Sequence, residues 1–219
     1  MARRSSIDLS SECSEEERAL IRHILNGADL AGRHLEIGTA AGGTLKEMIG
    51  VYAQHDMCPQ FVVIDPFTYY DDQLQKVRTN LTNAGIDPDS VEYWTGTTQD
   101  FIGRERQAGG SFDFVFIDGD HRHYPVMIDL QWLDLVRPGG FVCLHDRSEK
   151  FPGVGWAIDR YLANNPDVRF VEQAGTLVAL EKSGSGRSRG VTSADLRAAR
   201  GAQFVRKWKR SISKRLPGG

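Results

Sequence analysis

A three-layer, doubly wound α/β sheet is the fold class that the sequence predicts, and three observations predict it. Short apolar runs alternate with stretches of helical periodicity from residue 34 onward. Two of those runs, FVVID (61–65) and FDFVFID (112–118), are nearly continuous in large apolar residues, as strands buried on both faces must be. The series closes with two strand-like runs about a tight turn, VRFVEQAGTLVALEK (168–182). Strands separated by helices pair in parallel through crossovers. The expectation is therefore a seven-stranded sheet, mostly parallel, with a C-terminal antiparallel hairpin.

Each element has its own signal. Ser14-Glu15-Glu16-Glu17 is a capping box, and the helix it opens, to about Asn26, presents Leu20, Ile21, Ile24 and Leu25 on one side. HLEIG (34–38) is a short strand, and residues 42–55 carry Leu45, Met48, Ile49 and Tyr52 at helical spacing. After FVVID, residues 71–85 place Leu74, Val77 and Leu81 inward and stop at Gly85. VEYWTG (91–96) is the third strand, with a short helix over 97–109. The fourth strand, 112–118, leads into a helix over 124–136 with Pro125 in its first turn, closed by Arg137-Pro138-Gly139-Gly140. FVCLHD (141–146) is the fifth strand, 152–166 a helix, and the hairpin turns about Gln-Ala-Gly.

Composition narrows the class. A chain of 219 residues with 40% hydrophobic content builds one α/β domain with extensions. No apolar stretch reaches the ~20 residues that span a bilayer, and MARRSSIDLSSECSEEE has no apolar signal region. Cys13, Cys58 and Cys143 fit no zinc spacing and read as reduced thiols, as in a cytoplasmic protein. The net charge of -2 conceals an asymmetry: residues 183–219 hold ten Lys and Arg against Asp195 alone. An acidic body with a basic tail is no general nucleic-acid binder.

Ligands of doubly wound sheets gather beyond the carboxyl ends of the strands. The first strand leaves as Glu36-Ile37-Gly38-Thr39-Ala40-Ala41-Gly42-Gly43, and its glycines let a ligand approach the backbone. Ala40 stands where a dinucleotide fingerprint wants its second glycine. Glu36 suits a cationic ligand better than a pyrophosphate. Asp65, ending the second strand, can accept from a ribose diol, in NAD and adenosyl ligands alike. FVFIDGDHRHY (114–124) crowds Asp118, Asp120, His121 and His123 onto the exit of a buried strand, where such groups need water, a counter-ion or a ligand.

The order LEIGTAAGGT, VVID, FVFIDGDHRHYPVMIDL, RPGGFVCLHD resembles class I S-adenosylmethionine-dependent methyltransferases, with their Rossmann-like sheet, over roughly residues 30 to 182. The third of these stretches is similar to small bacterial O-methyltransferases of the macrocin, sugar-modifying type and, more distantly, to catechol-type enzymes. The resemblance implies that Gly38, Ala40 and Gly42 line the methionine part of the cofactor, with Glu36 near its amino group. Asp65 would hold the ribose, and Thr97 or Thr98 the adenine. Asp118, beside the donor, would also bind a divalent cation with Asp146 and with His145, where several relatives carry a carboxylate. Magnesium is the first expectation for that cation and manganese the second. Asp120 matches the acid suspected as general base, and His121 competes with it. The implied acceptor is a hydroxyl of a sugar, macrolide, phenol or glycolipid, and Tyr69, Tyr70 and Trp156 are candidate walls of its pocket.

Residues 1–29 read as an N-terminal helical extension, 30–182 as the methyltransferase domain and 183–219 as a basic linker and amphipathic tail. In that tail Phe204, Trp208, Ile212 and Leu216 recur every fourth residue among cations, a pattern suited to peripheral contact with an anionic membrane. Two other readings compete: an NAD-dependent oxidoreductase, and a non-catalytic, membrane-associated protein that binds an adenosyl ligand. Oligomeric state is left open by the sequence.

Overall fold

The computed structural model describes residues 10–53, 58–184 and 188–213. Chain order is α1 (Glu15–Gly27), β1 (His34–Ile37), α2 (Gly43–Tyr52), β2 (Phe61–Asp65), α3 (Gln73–Asn83), β3 (Val91–Thr95), α4 (Thr98–Ala108), β4 (Phe112–Ile117), α5 (His123–Asp129), β5 (Val136–Leu144), α6 (Pro152–Asn164), β6 (Val168–Ala174), β7 (Leu177–Lys182) and α7 (Ser193–Ser213). The strands form one sheet in the order β3-β2-β1-β4-β5-β7-β6. From β3 across to β5 the pairs are parallel, and β7 is antiparallel to both β5 and β6.

Alternation along the strands sorts the core into two layers. Val115 and Ile117 of β4 join one cluster with Met127, Trp132, Ile158 and Ala199, beneath α4 to α7. Phe114 and Phe116 join the other with Leu20, Ile24, Leu45, Met48 and Val77, beneath α1 to α3. Every residue of β1, β2 and β4 is buried, which is why the β2 and β4 runs are almost wholly apolar, while β1 buries His34 and Glu36. At the head of α1 the capping box forms as its spacing predicts: Ser14 accepts from the Glu17 N–H, and Glu17 accepts from the Ser14 N–H.

Three elements differ from expectation. The helix expected over 124–136 ends at Asp129 and continues as a 3-10 stretch over Leu130–Leu135. The tighter winding seats Trp132 and Leu133 in the core and lets the Trp132 indole N–H donate to the Thr98 hydroxyl at 3.1 Å. Next, β5 starts five residues early, and Arg137-Pro138-Gly139-Gly140 runs inside it past an irregularity opposite Phe112–Phe114. Gly140 permits this, because a Cβ there would stand 2.7 Å from the Asp113 carbonyl oxygen. In the hairpin, Ala174 pairs with Leu177, so the turn is Gly175-Thr176 rather than Gln-Ala-Gly. Gly175 adopts a φ of +53°, which glycine tolerates best.

Candidate active site

β1 pairs with β2 on one side and β4 on the other. The chain therefore departs in opposite directions after these central strands, and a crevice opens between their carboxyl ends. There lies a cleft of about 1360 Å³. All the predicted cofactor, metal and catalytic residues border it except Gly42. Gly42, expected to line the methionine part of a cofactor, turns the loop instead. It has a φ of +79°, its N–H donates to the Thr39 carbonyl at 2.7 Å, and a Cβ on it would meet Val77 at 3.0 Å.

On the β1 side the backbone comes close to its neighbour. Gly38 has a φ of +80°, and a Cβ there would stand 2.4 Å from the Asp118 carbonyl oxygen. Two residues earlier, Glu36 is 1% exposed and neither of its carboxylate oxygens has a hydrogen-bond partner. Burial, with Asp118 and Asp65 nearby, pushes its pKa up to about 8. Asp65 is better served: Oδ2 accepts from the Thr39 N–H at 2.9 Å and Oδ1 from the Phe67 N–H at 2.6 Å. Each oxygen keeps a second lone pair for a ligand hydroxyl. An unpartnered buried carboxylate is costly and is best relieved by a cation that arrives with the ligand. The α-ammonium of S-adenosylmethionine is such a cation, whereas a pyrophosphate would add like charge. The residues present fit the adenosyl cofactor.

On the β4–β5 side the carboxylates are interlocked with imidazoles. Asp118 Oδ1 lies 3.2 Å from His121 Nε2 and 3.2 Å from His145 Nδ1. His121 Nε2 is also 3.1 Å from Asp146 Oδ2. Asp146 holds a φ of +65°, a left-handed conformation that aspartate adopts more readily than most side chains. Asp118, His145 and Asp146 offer ligand atoms within 4.8 Å of one another. The donor set suits a hard divalent cation through its two carboxylates.

His145, the third member of that group, is also engaged on its other side. Its Nε2 lies 3.3 Å from Glu17 Oε2 while its Nδ1 faces Asp118, so both ring nitrogens meet carboxylates. Burial alone would lower its pKa, but hydrogen bonds to Asp118 and the Cys13 thiol carry it up to about 12. The ring is thus braced between two carboxylates, and it remains one of the three groups that could hold a metal ion. Asp120, which borders the cleft, is paired within its own loop. Its carboxylate is held by the Arg122 backbone N–H and by the Arg122 guanidinium, which outweigh burial and lower its pKa. Such a carboxylate is a poor proton acceptor.

Thr97 caps α4 through Asp100, and Thr98 turns inward to donate to Asp129 Oδ1 at 2.5 Å. Burial raises the Asp129 carboxyl to about 7, and this residue, absent from the sequence-derived set, borders the cleft beside Thr97 and Thr98. Ser10, Ser11 and Glu12 border it too, the Ser11 hydroxyl lying 2.8 Å from that of Thr44. Tyr69 lines the cleft as expected, while Tyr70 and Trp156 do not; Trp156 packs on His123 instead. Phe151, whose ring lies 4.5 Å from that of His121, supplies a wall that the sequence did not signal. The missed residues share one cause: each reaches the cleft from another element, leaving no local pattern.

Comparison with known proteins follows the same outline. The family model described as "Methyltransferase domain" matches residues 35–147, just over half of the chain and the part that builds the cleft. A protein of Mycobacterium sp. (strain JLS) named "Putative O-methyltransferase" is 25% identical over 178 residues, covering 81% of this chain and 74% of that protein. The catechol O-methyltransferase of Mycobacterium tuberculosis (strain ATCC 25618 / H37Rv) is 34% identical over 120 residues, 54% of this chain and 50% of that one. In fold, the chain is similar to the O-methyltransferase TomG from Streptomyces achromogenes, solved in complex with SAM. The TM-score is 0.61 at 20% identity, over 78% of this chain and 82% of that one. The glycine loop, the unpartnered Glu36 and this match together place the chain: it belongs to the methyltransferase-domain family and is an S-adenosylmethionine-dependent methyltransferase.

Proposed function

We propose that the chain methylates a hydroxyl oxygen of a small molecule, a sugar, macrolide, phenol or glycolipid, with a divalent cation held between Asp118 and Asp146. The observation that carries this reading is one cleft holding both the unpartnered Glu36 and two aspartates at neighbouring strand ends. The relatives named above are O-methyltransferases, which supports oxygen as the target.

Glu36 would take the cofactor's ammonium, Asp65 the ribose hydroxyls, and Thr97 with Thr98 the adenine side. When bound, the cofactor supplies an electrophilic methyl group on a sulfonium, and a divalent cation lowers the pKa of a hydroxyl beside it. The parallel register of β4 with β5 ends at Ile117 opposite Leu144, so Asp118 leaves beside His145 with Asp146 one residue beyond, all three offering ligand atoms within 4.8 Å of one another. His145, backed by Glu17, keeps the Asp118 carboxylate from swinging. Of the two proton acceptors we favour His121, whose Nε2 contacts with Asp118 and Asp146 would be drawn off by a cation bound between them, whereas Arg122 holds both oxygens of Asp120. Phe151 and Tyr69 wall the acceptor side. Magnesium or manganese suits two carboxylates best.

Thermal shifts with S-adenosylhomocysteine and with NAD, each with and without magnesium, test the cofactor; a rise with NAD alone would sink the reading. A screen of sugars, phenols, macrolides and glycolipids with radiolabelled donor tests the acceptor. Label recovered only on nitrogen or carbon would overturn the hydroxyl assignment.

A further inference from the structure

Three of the five large apolar residues exposed among the described residues sit together on α7: Phe204 (70% exposed), Val205 and Trp208 (59%). The opposite face of the helix is tied to the body. Ala199 is fully buried, and Asp195 accepts from Arg160 at 2.8 Å. The Tyr124 N–H donates to Gln203 at 3.1 Å, Arg200 donates to the Tyr124 hydroxyl at 2.5 Å, and Arg206 to the Lys150 carbonyl at 3.2 Å. Tyr124 and Lys150 border the catalytic cleft. The helix is thus a fixed rim of the cleft with an apolar outer stripe. Even the linker before it is tethered where it is described, the Gly190 N–H donating to Asn165 at 2.7 Å.

Charge selects the occupant. Residues 196–219 hold eight Lys and Arg and no acid, whereas the first 182 residues carry 17 basic against 28 acidic side chains. An anionic surface attracts the helix and repels the body, so it meets the molecule on one side. Aromatic side chains among lysines and arginines are the composition of helices that lie in a headgroup layer. Among the described residues no helix is long and apolar enough to cross a membrane, so contact of this kind stays at the surface. Ile212 and Leu216, which continue the stripe in sequence, lie outside the described side chains.

We propose that the outer face of α7 docks on an anionic lipid surface and holds the mouth of the cleft at the headgroup layer, so that the acceptor is a hydroxyl borne by a membrane amphiphile. The acceptor part rests on the O-methyltransferase reading above; the docking part does not.

Flotation of the full chain with vesicles of phosphatidylglycerol and phosphatidylcholine, against phosphatidylcholine alone, tests docking. Binding is expected to the anionic vesicles only and to weaken in high salt. Phe204→Gln with Trp208→Gln should weaken it roughly a hundredfold, with the melting midpoint unchanged because both residues are exposed. Equal flotation of the double variant, equal binding to neutral vesicles, or a chain that stays in solution as a dimer overturns the proposal; the dimer assigns the stripe to a second copy. A glycosyl diacylglycerol in such vesicles, compared with the matching water-soluble methyl glycoside, tests the acceptor class. Faster labelling of the lipid by the wild type, lost in the double variant, supports it. Equal labelling, or none while S-adenosylhomocysteine still binds, overturns the acceptor class alone. Failure to bind S-adenosylhomocysteine instead removes the underlying reading.

Discussion

Glu36 and Asp118 leave adjacent parallel strands only two register positions apart, yet their surroundings differ completely. Glu36 is buried at the wall of the cleft with no hydrogen-bond partner on either oxygen. Asp118 touches two imidazoles, one of them backed by a second carboxylate, Glu17. An acid without a partner is an affinity reserved for a cationic ligand, held at the expense of stability. An acid inside an ion network is already satisfied, so what it offers is position. Cofactor recognition is therefore expected to depend on single charges on the β1–β2 side. Catalysis should depend on a mutually braced set on the β4–β5 side.

The largest expected effect breaks this contrast at Glu36. Glu36→Gln should weaken S-adenosylhomocysteine binding by roughly a hundredfold or more in titration calorimetry, the cost of removing one partner of a buried charge pair. The same variant should melt higher than the wild type without ligand. The sign follows from the raised pKa: between pH 4.5, the ordinary value, and about 8 the unfolded chain loses this proton before the folded one. Native stability therefore falls as pH rises through that window, and Gln removes the slope. A ligand-free variant with the wild-type slope would contradict the assignment. Next comes Asp146→Ala, expected to lower metal-stimulated methyl transfer by about two orders of magnitude while cofactor affinity stays within a few-fold. Full activity in that variant would remove the cation site.

Glu17→Gln sharpens the contrast at its remote end. Turnover should fall about tenfold through loss of the brace on His145, and cofactor binding should hold. Hydrogen bonds from Ser14 and Thr176, with the His145 charge, outweigh burial and lower Glu17 to about 2. Its contribution is present above 4.5 and lost as pH falls toward 2, so the acid-unfolding midpoint of the variant should shift less stability into that window. The smallest effect belongs to Asp120→Asn, expected to change turnover by less than about tenfold, because Arg122 already holds that carboxylate. His121→Gln should cost more. A reversed order in steady-state rates would return Asp120 to the role of base.

Much of this was legible in the chain. FVVID and FDFVFID announced strands buried on both faces, and the structure sets them two positions apart in the sheet with β1 between them. The acids at 36, 65, 118 and 146 were legible because each ends a recognisable strand, and strand ends are where such sheets bind ligands. Glu17 was read as a capping residue, which it is, but its second role with His145 spans 128 positions and has no local signature. Gly42 shows the reverse: a motif position whose need for glycine comes from a φ of +79° and from Val77, which a Cβ there would meet at 3.0 Å.

The sequence by itself determined the order of elements, the crevice beside β1 and the acids that reach it, because side-chain periodicity and turn chemistry act between near neighbours. Only the tertiary structure decided which of those acids is left alone and which is clamped, because charge state depends on groups that packing delivers from remote elements. The same holds for α7, where a stretch that reads as an amphipathic tail becomes a rim of the cleft through Tyr124 and Lys150.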